Sequence, residues 1–227
     1  MEVRARAARV KAKDRLKMRA EILLNVEYLV TNPESEHTKR LINLGAVHNK
    51  FLGLEVFYVT KFTTQYTEDS RHAVTYNMLR NFEISLCELE RAAHENTEKN
   101  NKFVAVRISD AITSLQRELK LRLPEKVIED IDVFVLTTQK WKSGANSLLF
   151  PEMFKKAAEE LASDLYVLPS STDELIVIPQ GYGSVKELKE LVRSVNEGSN
   201  SREEVLSNDV YKYCRENGKL SVADEND

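Results

Sequence analysis

Apolar and polar positions alternate along the chain in short segments whose periods predict the elements. Residues 1–30 contain neither Gly nor Pro, and Ala5, Ala8, Ala12, Leu16 and Leu23 recur at helical spacing, which predicts one helix. Asn32-Pro33 ends it, since a proline disfavours helical geometry in the residue before it. The run from Phe51 to Val59 is rich in β-branched and aromatic residues and predicts a strand. A polar turn over 63–69 leads to a second strand, His72–Asn77, as its hairpin partner. Ser85 with Glu88 three residues on forms a capping box for a helix over Leu86–Ala93, closed by the polar run 94–101. A further helix is predicted over 108–122, before Pro124.

In the second half, Asp132–Thr137 predicts a strand, 140–146 a polar turn around Gly144, and Pro151 the first turn of a helix to about Ser163. Leu165–Leu168 and Glu174–Ile178 are two strands joined by the hairpin loop Pro169-Ser-Ser-Thr-Asp173. Ser184 and Glu187 make a second capping box, opening a helix that ends near Asn196-Glu-Gly198. A short helical turn over 202–206, a final strand over 209–214 and a frayed terminus complete the reading. Hairpins set between helices predict an α+β fold with antiparallel-rich sheets. The ββα order at 51–94 returns at 164–197, as a duplication would produce. The expected segments are a basic helix (1–30), two α+β parts (31–123 and 124–215) and a flexible tail (216–227).

Composition narrows the class. With 42% apolar and 30% charged residues over 227 positions, the chain has the balance of a globular protein. A net charge of −3 gives the whole molecule no nucleic-acid footprint. Cys87 and Cys214 are far apart and read as free thiols, which points to a cytoplasmic protein. The four histidines have no metal-ligand spacing, so neither metal nor cofactor is implied. The first twenty residues lack the apolar core of a signal peptide, and no run is long and apolar enough to span a membrane.

The candidate chemistry is sparse. Arg4, Arg6, Arg9, Lys11, Lys13, Arg15, Lys17 and Arg19 face Glu2 and Asp14, a local excess of basic charge that phosphates would attract. A solvated face with its Ala/Leu stripe packed on the body or on a partner is the favoured reading. Ser170 and Ser171, with Glu174 nearby and His48 or His72 elsewhere, contain the residue types of a nucleophilic site, yet no Gly-x-Ser-x-Gly elbow accompanies them. Turn formation is the simpler role for these hydroxyls. Glu95, Asn96 and Thr97, read as following a helix, could grip a ligand or cap the helix end, and Asn77 at a strand end is equally two-sided. Gly181-Tyr-Gly183 precedes a helix but lacks the Gly-Lys-Ser/Thr of a phosphate loop. Trp141, the single tryptophan, sits between Lys140 and Lys142 in a polar turn, as an interface anchor would.

Several of these segments together resemble a known family. Val133-Phe-Val-Leu-Thr-Thr, Gly144-Ala145, Tyr166-Val-Leu-Pro-Ser-Ser and Glu174-Leu-Ile-Val-Ile-Pro179 resemble the bacterial "domain of unknown function 5688". Leu188–Asn196, Glu204-Val-Leu-Ser207, Asp209-Val-Tyr211, Val47–Leu52, Asn77 and Glu95-Asn-Thr97 extend the similarity over roughly 28–214. The resemblance implies bacterial relatives, often encoded in or near mobile elements, and names no reaction. It also implies a His before Glu174, where this chain has Asp173, and a Trp where it has Phe82.

The expected function is a non-enzymatic interaction or regulatory module with a protein partner. The alternatives are a hydrolase-like site near Ser170, Ser171 and Glu174, and nucleic-acid association through residues 1–20, which is not favoured. No membrane partner is expected.

Overall fold

The computed structural model describes residues 2–61, 71–110, 132–198 and 204–225, with side chains from residue 12 onward. The chain divides into two compact units, Met1–Asn100 and Asn101–Asp227. The α+β class holds, and every strand pair in both sheets is antiparallel.

In the first unit, α1 (Glu2–Asn25) leads into β1 (Glu27–Thr31), so the helix read over 1–30 is shorter than its period suggests. Asn96 ends it: its side-chain amide donates to the carbonyls of Leu23 (3.0 Å) and Val26 (2.9 Å), taking up acceptors that a longer helix would use. Then α2 (Glu36–Asn43), capped by Ser35, precedes the hairpin β2 (His48–Phe51) and β3 (Leu54–Lys61). The single strand expected over 51–59 is thus folded back on itself. Leu52 (φ 50°) and Gly53 (φ 81°) are both left-handed, as the tightest two-residue hairpin turns require. β1 lies along one edge of β3; β2 and β4 (Arg71–Ala73) share the other. The expected strand to Asn77 stops early because Thr75 caps α3 (Tyr76–Phe82), its hydroxyl accepting from the Met78 amide at 3.2 Å. α4 (Leu86–Asn101) runs through the polar stretch expected to close it.

Cross-strand pairs sort the sheet into two faces. Leu29 and Phe57 pair on one face, where Phe57 packs with Leu41 of α2 and Ala46. Tyr28 and Tyr58 pair on the other, where α4 supplies Glu90 and Thr97. The Thr97 hydroxyl accepts from the Tyr28 amide at 2.9 Å with no exposed surface.

The second unit is a six-stranded sheet in the order β10-β9-β7-β8-β6-β5, built from β5 (Phe103–Arg107), β6 (Phe134–Thr138), β7 (Leu165–Leu168), β8 (Leu175–Pro179), β9 (Tyr211–Cys214) and β10 (Lys219–Val222). β5 and β10 were not foreseen. α6 (Val185–Gly198) buries Val185, Leu188 and Val192 against Tyr166, Leu168 and Ile178. Residues before and within α5 (Glu152–Glu160) meet other strand residues: Phe150 stacks near Phe103 (5.2 Å) and Phe154 near Tyr213 (5.6 Å). A 3-10 helix, Gly144–Leu149, follows the 139–143 turn. The turn expected over 63–69 lies outside the described residues, as do most of the helix expected over 108–122 and part of the turn expected over 202–206. The two stretches read as ββα differ: among the described residues, 48–101 holds three strands and two helices, and 165–198 two strands and one helix.

Both capping boxes form. The Glu88 carboxylate accepts from the Ser85 amide and hydroxyl and from Arg19, which holds its pKa down at about 2. Ser184 lowers Glu187 in the same way. A depressed carboxylate stabilises the fold above its unfolded pKa, and that contribution is lost as pH falls through the folded value. For Glu88 the window runs from 4.5 down to about 2. The expected outcome is a difference in urea midpoint between wild type and Glu88→Gln that is present near neutral pH and shrinks across that window.

Candidate functional site

The loop between β7 and β8 and the turn after β6 are tied together by backbone groups. The Asp173 carbonyl accepts from Thr137 Oγ1 (2.7 Å) and from the Gly144 amide (3.1 Å), and the Thr172 carbonyl from the Ala145 amide (3.1 Å). The Asp173 carboxylate accepts from the Ser143 amide at 2.7 Å. Ser143 makes no side-chain cap of its own, so Asp173 supplies the acceptor that the start of the 3-10 helix needs. Within the loop, the Ser171 hydroxyl accepts from the Asp173 amide (3.1 Å), its amide donates to the Glu174 carbonyl (3.1 Å), and Ser170 Oγ donates to Glu174 Oε1 (3.2 Å). Ser170, Ser171 and Glu174 therefore do converge, in a hydrogen-bonded loop.

This clamp fixes the turn that carries Trp141. The Thr138 hydroxyl donates to the Lys142 carbonyl (2.9 Å) and accepts from the Lys142 amide (3.2 Å), while the Trp141 amide donates to the Thr138 carbonyl (2.9 Å). Trp141 (φ 53°) and Ser143 (φ 59°) hold left-handed conformations that cost a bulky residue energy unless the surroundings impose them. Trp141 is 54% exposed, and Lys140 and Lys142 beside it are also exposed. An aromatic side chain on a preset turn loses little further freedom on binding, which is the property of an interface anchor.

The remaining expected site residues have other settings. His48 lies in the first unit, away from the serine loop in sequence and unit; its Nδ1 is 2.7 Å from Glu55 Oε2, and its ring stacks on Phe57 at 5.3 Å. The Glu55 side chain is 5% exposed, so the imidazole is held by a buried carboxylate. Glu95, Asn96 and Thr97 do not follow a helix but lie inside α4, where Asn96 and Thr97 fasten the α1–β1 junction and Glu95 is exposed. Asn77 accepts from Arg80 one turn along α3. Of the basic residues, Arg15 pairs with Glu83 (2.8 Å) and Arg19 with Glu88 (2.5 Å). Among the described residues no group of three or more His, Cys, Asp or Glu is placed to hold a metal.

One cluster has no counterpart in the sequence reading. Tyr28 Oη donates to Glu90 Oε1 at 2.9 Å and Tyr58 Oη donates to Glu90 Oε2, with the two rings 5.7 Å apart. Burial, then the Glu90 carboxylate, push both phenols well above the ordinary tyrosine value. A raised pKa means stability that is complete below 10.0 and lost at higher pH as the phenols ionise. Glu90→Gln removes one of the two causes, so an absorbance titration is expected to show tyrosinate appearing at lower pH than in wild type.

Two antiparallel sheets, each packed against helices, define an α+β protein, and in its second unit a hydrogen-bonded loop holds the turn that carries Trp141. A family model described as "Family of unknown function (DUF5688)" matches residues 25–215, and the chain belongs to that family. No curated protein and no solved structure matches it. No helix among the described residues is long and apolar enough to cross a membrane.

Proposed function

We propose that the protein is a non-enzymatic interaction module that docks a protein partner through the Lys140-Trp141-Lys142 turn. The carrying observation is the exposure of Trp141 on a turn with left-handed backbone, fastened by Thr138 on one side and by Asp173 on the other. Flanking lysines favour a partner that offers an apolar pocket rimmed by Asp or Glu. The same reading takes the setting as the bacterial cytoplasm, near mobile genetic elements, as the family resemblance implies. On this reading the Ser170, Ser171 and Glu174 side chains bond within their own loop, apart from the docking contact, and carry out no hydrolysis.

Peptide display on the wild-type chain, with counter-selection on Trp141→Ala, tests it. Enriched peptides are expected to combine acidic residues with an apolar one. Because Trp141 is the only tryptophan, they should also shift the protein's emission to the blue as the indole leaves water. Peptides that bind both chains equally, or leave the emission unchanged, would refute the assignment.

A further inference from the structure

In the second unit, residues of α5 and of the turn between β9 and β10 line a cavity of about 320 Å³. A second cavity of about 410 Å³ adjoins it, and Arg215 and Glu216 line both. At about 30 Å³ per water, the first has room for roughly ten waters, which is the lower end of the size range of small-molecule sites. The turn is set by its backbone. The Gly218 amide donates to the Cys214 carbonyl (2.9 Å), and the Arg215 amide donates to Asp164 Oδ1 (2.9 Å), which leaves the Arg215 side chain unused.

Tyr213 lines the first cavity and is only 3% exposed. Its ring packs near Phe154, and among the described residues no hydrogen bond reaches its hydroxyl. Gly218 leaves that hydroxyl uncovered, since even a Cβ there would stand 3.7 Å from Oη. A phenol buried to this degree ordinarily has a partner, because the water it gives up must be replaced. Burial, and then the negative charge of Glu159, raise its pKa, so it stays protonated and offers a donor. Around it the charges are mixed. Lys155 pairs with Glu159 at 3.8 Å, whereas Arg215 and Glu216 are exposed and have no ion-pair partner among the described residues.

We propose that this cavity binds a free α-amino acid whose side chain carries a hydrogen-bond acceptor. Arg215 takes the carboxylate, Glu216 the ammonium, and the Tyr213 hydroxyl donates to the side-chain acceptor. A simple anion would meet the carboxylates of Glu159 and Glu216, and a simple cation would meet Lys155 and Arg215. A zwitterion satisfies both signs at once. The volume admits a small molecule and no folded partner, and a peptide terminus brings only one of the two charges. Because the Arg215 backbone is already held by Asp164, binding orders little more than two side chains.

Isothermal titration calorimetry of the full chain with each common amino acid in turn tests this. At least one with a polar side chain is expected to bind with a Kd of about 1 mM or tighter. Its N-acetylated and its amidated forms, each lacking one charge, should bind at least ~10-fold more weakly. Arg215→Gln should lose at least ~10-fold and Tyr213→Phe about 3–10-fold, while Lys219→Gln, on the same hairpin outside the cavity, stays within about twofold. Without ligand, the urea midpoint of Tyr213→Phe should equal or exceed that of wild type, since the hydroxyl has no partner to lose. No binding by any amino acid, equal binding of the acetylated or amidated forms, full affinity in Tyr213→Phe, or a lowered midpoint in that variant would overturn the proposal.

Discussion

Gly144→Ala is expected to be the most damaging single-methyl change in the second unit. A Cβ at this position would stand 2.2 Å from the Asp173 carbonyl oxygen, 2.8 Å from its carbon and 2.9 Å from Thr137 Cα. All three are backbone atoms, so no side-chain rotation relieves the overlap. The same carbonyl accepts from both Thr137 Oγ1 and the Gly144 amide, so moving it away breaks the bonds that join the two loops. Overpacking in a core costs about 1–3 kcal/mol, and the loss of buried hydrogen bonds adds to it, so the total is expected to reach at least ~3 kcal/mol. Urea denaturation reads it as a lower midpoint, and Trp141 emission should shift as its turn loosens. Unchanged stability would mean that the two loops do not meet as described.

Phe57→Ala is expected to cost about 3–5 kcal/mol, the range for emptying a fully buried aromatic site. Phe57 has no exposed surface and sits at the centre of β3, packed with Leu41 and Ala46, with Leu29 and Ala73 at the margin. The residues around it come from α2, β1 and β4 and the loop between, so the cavity removes the contact that several elements share. His48 stacks on the same ring, and its loss frees the imidazole that Glu55 otherwise holds against it. Hydrogen exchange of β3 amides is expected to accelerate strongly. A change below ~1 kcal/mol would place the core of this unit elsewhere.

What was legible in the sequence was local. Ser85 with Glu88 and Ser184 with Glu187 announce helix starts because cap and acceptor lie within one turn. The 165–179 hairpin was legible because its two apolar runs flank a loop of turn-forming residues. β1 was not: its residues continue a helical period, and its strand state comes from pairing with β3 across the intervening α2 and β2. The β2–β3 turn left a signal in Gly53, an isolated glycine in an apolar run, but Leu52 is an unusual residue at positive φ and masked it. The polar stretch 94–101 looked like a stop because Asn96 and Thr97 have poor helix propensity; in the fold they serve the α1–β1 junction.

The candidate site divides along the same line. Trp141 and the Ser170-Ser171-Glu174 loop were visible as residue types in turns. Their connection through Asp173 and Gly144 was not, since it depends on two loops meeting across strands. Asp173, which departs from the expected histidine, acquires a physical role as the acceptor at the start of the 3-10 helix. The Tyr28–Tyr58–Glu90 cluster left no local trace, because its members come from three separate elements.

Docking through Trp141, displayed on the turn that Thr138 and Asp173 fasten, is the central proposal. Its most direct test is the affinity of one labelled, selected peptide for wild type, Trp141→Ala and Ser170→Ala/Ser171→Ala. The expected result is at least ~30-fold weaker binding to the tryptophan variant, about 2 kcal/mol, and a change within about threefold for the serine variant. Binding that survives loss of Trp141 and disappears with the two serines would contradict it.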